Sequence, residues 1–237
     1  MYYPPTGLSF FVPNYSIFVK SKKLVFNMLP TCTLCNGESS LFHTYQKREY
    51  YRCKSCQSVF VGPNYFPNPE DEKERYLTHN NDVYDPGYRK FAKPITDVVL
   101  NDFTGEHCGL DFGAGTGPVI CKVLGEKGYN IEPYDPFFCN NIELLERQYD
   151  YIVCCEVIEH FFKPQKEFAQ LRSMLKPNGK LICMTDFYSD DIDFSKWYYK
   201  NDPTHVFFYH KHALSHIEKA FGFSKCFVNN RLVWFGV

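Results

Sequence analysis

The chain has 237 residues, with 26 Lys and Arg against 27 Asp and Glu, so a net charge of −1 offers no broad positive field to a phosphate backbone or an anionic membrane. Bulk nucleic-acid binding and membrane association are therefore not expected. The length allows one sizeable core and a small extra module, and an aromatic content of 18% suits a dense interior with an aromatic-lined pocket.

Residues 1–30 read as an N-terminal extension with no assigned role. Their apolar run, 8–19, is interrupted by Pro13 and Asn14 and is too short to span a bilayer. With no secretory signal and eleven cysteines, an odd number that would strand a thiol in an oxidising compartment, the expected location is cytoplasmic.

Four cysteines have ligand spacing. Cys32-x2-Cys35 is followed after 17 residues by Cys53-x2-Cys56, two paired knuckles that can close a tetrahedron of thiolates around one zinc ion. Such a site keeps no open coordination position, so its zinc is expected to be structural. The spacing predicts a zinc ribbon over 31–62, with 45–52 forming a hairpin strand between the knuckles. Its further role is open among docking on the main domain, shaping a substrate entrance and holding a partner. Residues 63–105 then read as a linker and first helix, with the polar stretch 76–82 suited either to a lid or to a solvated connection.

From 106 to 237 the pattern alternates strands and helices, as in a parallel α/β domain. Cys108–Ile120 reads as a short buried strand, the loop Gly113-Ala114-Gly115-Thr116-Gly117, and the start of a helix at Pro118. The glycines let the backbone bend sharply and approach a ligand closely. Their spacing is G-x-G-x-G, not the G-x-G-x-x-G of dinucleotide-binding folds, which disfavours NAD.

With Asp111 and Phe112 directly before it, this loop resembles the first motif of class I S-adenosylmethionine-dependent methyltransferases. The resemblance implies a Rossmann-like, seven-stranded, mostly parallel sheet with an antiparallel last strand. It further implies that Asp111, Phe112, Gly113, Ala114, Gly115 and Gly117 line the methionine end of the cofactor, with Asp111 holding its amino group.

The following segments fit. Residues 129–135 read as a second strand ending in Asp135, placed to accept both ribose hydroxyls; Glu132 is the alternative. Only 14 residues separate Asp135 from Asp150, so the second helix and third strand of such enzymes are expected to be shortened, leaving Asn140 and Asn141 as guesses for adenine contacts. The run Asp150–His160, containing Glu156-Val157-Ile158-Glu159-His160, resembles the family's fourth strand. A helix over 168–175, a turn at Lys176-Pro177-Asn178-Gly179, a strand over 180–185, a helix over 212–220 and a terminal hairpin turning at Asn229-Asn230 complete the pattern.

Methyl transfer from a sulfonium is an in-line displacement, so the main task is alignment in a water-poor pocket, with a base needed only for a protonated acceptor. His205 is the first candidate for that base because imidazole titrates near neutral pH, and Glu159 and His160 are the others. Each is equally readable as a packing or helix-starting residue, and Glu156 is expected to meet the cofactor through its backbone. A ribbon placed before such a core is similar to the layout of nucleotide-sugar C-methyltransferases, which carry a further C-terminal domain. The expected acceptor is a small molecule or sugar. A non-catalytic ribbon and Rossmann binding module, and an NAD-dependent oxidoreductase or epimerase, are the competing readings.

Overall fold

A computed structural model describes residues 29–78 and 82–237. Almost all of the N-terminal extension, and residues 79–81 of the expected lid, lie outside the described residues.

In chain order, strands β1 (Ser39–Tyr45), β2 (Arg48–Cys53) and β3 (Val59–Val61) lead into helices α1 (Pro69–Leu77) and α2 (Pro86–Asp102). Strand β4 (Cys108–Phe112), helix α3 (Val119–Gly125), β5 (Asn130–Tyr134), β6 (Tyr149–Cys155), α4 (Pro164–Ser173) and β7 (Leu175–Met184) follow. The chain ends with β8 (Phe207–Phe208), α5 (Lys211–Ala220), β9 (Lys225–Asn229) and β10 (Leu232–Gly236).

The larger sheet has the order β5-β4-β6-β7-β10-β9. Its first four strands run parallel, and the terminal hairpin adds β10 antiparallel to β7. Among the described residues this is an α/β Rossmann-like sheet of six strands, not the seven expected. The missing strand belongs to the interval between Asp135 and Asp150, where an isolated bridge from Asp135 to Cys139 and a single 3-10 turn, Ile142–Glu146, occupy the chain. A crossover to another parallel strand needs a dozen or more residues besides the strands themselves, and the interval does not hold them.

Strand β6 shows why the centre of the sheet is stable. Tyr151, Ile152, Val153 and Cys154 are wholly buried, as expected of a parallel strand covered on both faces. Ala92, Ile95 and Val99 of α2, spaced along one helical face, pack on the side presented by Tyr151, Val153 and Ile182. Phe168 of α4 and Leu214 and Ile217 of α5 pack with Ile152 and Leu181 on the other.

Several boundaries move. The Lys176–Gly179 turn is an irregular part of β7, with Asn178 in the left-handed region (φ 64°) and a register shift opposite Tyr149 and Tyr151. The helix read over 168–175 starts at Pro164 and ends at Ser173, and Pro118 stands just before α3 rather than in its first turn. The terminal hairpin turns at Asn230 and Arg231, since Asn229 already pairs with Leu232.

The cysteine-bearing segment is not a detached bead. Strands β1, β2 and β3 form a second sheet whose fourth member is β8, with Val59 opposite Phe208 and Phe60 opposite Phe207. Tyr50, Val59 and Val61 share an aromatic core with Tyr188, Phe194, Trp197 and Phe208. Of the three roles left open for this segment, docking on the main domain is what the packing shows. No helix among the described residues is long and apolar enough to cross a membrane.

Candidate active site

The C-terminal ends of β4, β5 and β6 open onto a cavity of about 810 Å³, the position at which open parallel sheets bind ligands. Its floor includes Phe112, Gly113, Ala114, Gly115 and Thr116 after β4, and Tyr134 and Asp135 after β5. Gly113 and Gly115 have φ of 79° and 63°, values that favour glycine. A Cβ on Gly113 would lie 2.5 Å from Val157 Cγ2, whereas one on Gly115 would meet nothing within 4 Å. Gly115 therefore faces open space, and Gly113 is glycine because the next strand end is pressed against it.

Asp135 ties the two strand ends together. Its carboxylate accepts from the Gly115 N–H at 3.0 Å through one oxygen, and from the N–H groups of Phe137 (2.8 Å) and Phe138 (3.1 Å) through the other. A carboxylate has about four acceptor positions, so one remains beyond these three bonds. Glu132 instead pairs with Arg147 at 3.1 Å on the surface, and the cavity lining includes neither Glu132 nor Asn140 nor Asn141.

Two residues read as loop ligands are placed elsewhere. The Asp111 carboxyl is buried against α3, accepts from the Cys121 thiol at 3.5 Å and is not in the cavity wall; burial pushes it up to about 7. Gly117 is also outside the wall, although its carbonyl accepts from the hydroxyl of the cavity-lining Tyr88 at 3.2 Å.

Past β6 the wall becomes polar. Glu156 has a left-handed backbone (φ 53°), an uncommon geometry for a non-glycine residue and one that turns its side chain toward the cavity rim. Its Oε2 accepts from Arg231 at 2.5 Å and from the Tyr199 hydroxyl at 3.2 Å, and burial pushes its carboxyl up to about 7 against the opposing pull of Arg231. Glu159 is wholly buried behind this layer, accepting from the hydroxyls of Tyr199 and Thr185, the latter at 3.0 Å; burial and then the charge of Glu156 push it up to about 8.

His160 and His205 both line the cavity, with ring centroids 4.9 Å apart. Each directs Nδ1 at a backbone carbonyl, His160 at Thr204 (3.0 Å) and His205 at Tyr199 (2.7 Å). Burial first of all lowers His205 to about 4, so its ring is neutral near pH 7. From α1, Glu72, Arg75 and Tyr76 complete the wall, and Arg75 pairs with Asp202 at 2.6 Å. Tyr76 is thus the part of the expected lid that reaches the cavity among the described residues.

Arg231, Thr185 and Arg75 were not singled out by sequence reasoning. Arg231 reaches Glu156 only because β10 adds beside β7, an adjacency that local pattern does not encode.

The second cluster joins the knuckles. The Sγ atoms of Cys32, Cys35, Cys53 and Cys56 lie within 4.8 Å of one another, with Cys35 and Cys53 at 3.4 Å and Cys32 and Cys56 at 3.7 Å. Zinc–sulfur bonds of about 2.3 Å in a tetrahedron put sulfurs about 3.8 Å apart, so the donor set and spacing fit that metal. Backbone N–H groups of Ser55 and Cys56 point at Cys53 Sγ (3.3 and 3.4 Å), as they do where a sulfur carries thiolate charge.

The sequence profile described as "Methyltransferase domain" matches residues 76–226, well over half of the chain. The chain belongs to that family. No curated protein sequence matches it. Among solved structures it is similar to an O-methyltransferase family protein from Burkholderia thailandensis (12% identity, TM-score 0.49, covering 70% of this chain and 61% of that one). It is also similar to a SAM-dependent methyltransferase from Archaeoglobus fulgidus (21% identity, TM-score 0.47, 59% and 71% covered). A third is the magnesium protoporphyrin IX methyltransferase of Synechocystis PCC 6803 with bound SAH (13% identity, TM-score 0.45, 73% and 96% covered). The chain spans about six-tenths of the length of the Burkholderia protein.

Proposed function

We propose that the protein transfers a methyl group from S-adenosylmethionine to a small-molecule or sugar-type acceptor, and that a zinc ion in the four-cysteine site supports the fold. The observation carrying this reading is that the open face of Gly115 and the carboxylate of Asp135 belong to one cavity wall, linked by a 3.0 Å hydrogen bond. The methionine part lies over Gly113–Gly115, and the remaining acceptor position of Asp135 takes a ribose hydroxyl. Phe137 and Tyr134 supply apolar surface for the base.

The acceptor then approaches from the side of Tyr199, His160 and His205. Aromatic walls there exclude water, which leaves alignment as the chief contribution to rate. His205, neutral and with Nδ1–H held by the Tyr199 carbonyl, offers Nε2 as a proton acceptor. In this reading Asp111 acts from behind the loop, by fixing α3 to β4. The eleven unpaired cysteines among the described residues fit a reducing, cytoplasmic setting.

Methyl-labelled S-adenosylmethionine offered with hydroxylated small molecules and nucleotide sugars tests the reading. S-adenosylhomocysteine should accumulate only when an acceptor is present. Cofactor binding without transfer to any acceptor class would favour the non-catalytic module.

A further inference from the structure

We propose that Glu159, His160 and His205 form a second metal site, for a divalent first-row cation, at the acceptor end of the cavity. One ligand atom from each of the three residues lies within 4.8 Å of the others. The ligand type is the two-histidine, one-carboxylate set that holds such cations on one face and leaves further positions open. Around a bound ion, metal–ligand distances of about 2.0–2.2 Å put neighbouring donors about 3–3.5 Å apart. His205 Nε2 and Glu159 Oε1 stand 4.0 Å apart, so side-chain rotations of about an ångström close the set.

Three observations reach beyond this proximity. Both imidazoles are already oriented as metal ligands are: Nδ1–H donates to a main-chain carbonyl, Thr204 for His160 and Tyr199 for His205, which makes Nε2 the lone-pair nitrogen in each. Glu159 is wholly buried, and its hydrogen-bond donors are the neutral hydroxyls of Tyr199 and Thr185. Once ionised, as a metal ligand must be, this buried carboxyl calls for a positive partner or a metal. The two guanidinium groups in the cavity wall are engaged elsewhere, Arg231 with Glu156 and Arg75 with Asp202, so the charge that ionised Glu159 needs is left for a bound cation to supply.

The open positions face the cavity, because His160 and His205 line it while Glu159 lies behind them. On the methyltransferase reading, which this part of the inference rests on, an acceptor hydroxyl binds there and, with His205 Nε2 committed to the metal and no longer serving as the base, loses its proton to water. Its oxygen forms the new O–C bond as the C–S bond breaks, and that electron pair stays on sulfur, turning the sulfonium into a neutral thioether.

The test is a titration of the full-length, zinc-loaded protein with Mn²⁺, followed by the loss of the free-ion electron paramagnetic resonance signal. Mn²⁺ favours nitrogen and oxygen donors and leaves thiolate zinc in place. One Mn²⁺ per chain is expected, weakened at least about tenfold in His205→Gln and in Glu159→Gln, with zinc content and circular dichroism unchanged. Should His205→Gln misfold, His160→Gln supplies the same comparison. No uptake of Mn²⁺ by the wild type, or equal uptake by variants that remain folded, overturns the site. Binding of S-adenosylmethionine measured on the same sample separates the two readings: cofactor without Mn²⁺ sinks only the metal site, and Mn²⁺ without cofactor sinks only the methyl-donor assignment.

Discussion

Arg48, in the strand between the two cysteine knuckles, donates from its guanidinium to the carbonyl of His205 at 3.1 Å. A second bond runs to the carbonyl of Asp202 at 3.4 Å, Tyr50 holds the carbonyl of Lys200, and the Val61 N–H donates to Val206. The segment bearing His205 is therefore fastened from behind by the cysteine-rich sheet, while its imidazole faces the cavity.

Metal loss should accordingly be felt at the cavity. Cys53→Ser should release the tightly held zinc, about one per chain by elemental analysis in the wild type. Amide exchange over residues 199–208 should accelerate together with that of the knuckles. Faster exchange in the knuckles alone would show that the two sheets are energetically separate.

The glycine loop separates packing from binding. Gly115→Val projects into open space, so it should cost about 1–2 kcal/mol from its left-handed backbone yet abolish measurable S-adenosylmethionine binding. Gly113→Ala meets Val157 as well as the same backbone penalty and should cost about 2–5 kcal/mol. Chemical denaturation alongside calorimetry checks both, and full affinity in Gly115→Val would displace the cofactor from this loop.

Asp135→Ala strips the acceptor from Gly115, Phe137 and Phe138, and should weaken cofactor binding roughly 10- to 100-fold, given about 1.5–3 kcal/mol for a hydrogen bond to a charged group. Asp135→Asn keeps one acceptor oxygen and should lose less. Equal losses in the two variants would mean that charge, not loop geometry, is what matters.

Asp111 makes stability depend on pH. Its carboxyl rises from 3.8 to about 7 through burial, so between those values the folded state keeps a proton that the unfolded chain has shed. Stability attributable to this group is thus highest below about pH 4, falls as pH rises through that window and levels off above pH 7. Asp111→Asn removes the loss, and its stability relative to wild type should grow by up to about 4 kcal/mol from pH 4 to pH 8. A difference that does not change with pH would contradict the burial.

Sequence pattern carried some of this site and not the rest. The glycine loop, Asp135 and the four cysteines were legible because each depends on local spacing: a backbone bend, an acid at a strand end, two knuckles. Asp111 looked like a ligand from its place beside the loop, but strand alternation turns it toward Cys121 on α3. The seventh strand failed on chain length, since the interval after Asp135 folds into a bridge and one 3-10 turn. Arg231 and Thr185 gain their roles from the β7–β10 pairing, and the union of β3 with β8 joins segments almost 150 residues apart. Such adjacencies are set by the whole sheet and leave no trace in a window of sequence.

The most direct measurement is calorimetric titration of the purified protein with S-adenosylmethionine, S-adenosylhomocysteine and NAD. One molecule of either sulfur nucleoside should bind per chain, with NAD giving no heat. Binding of NAD alone, or silence from all three, would contradict the assignment of the cavity between Gly115 and Asp135.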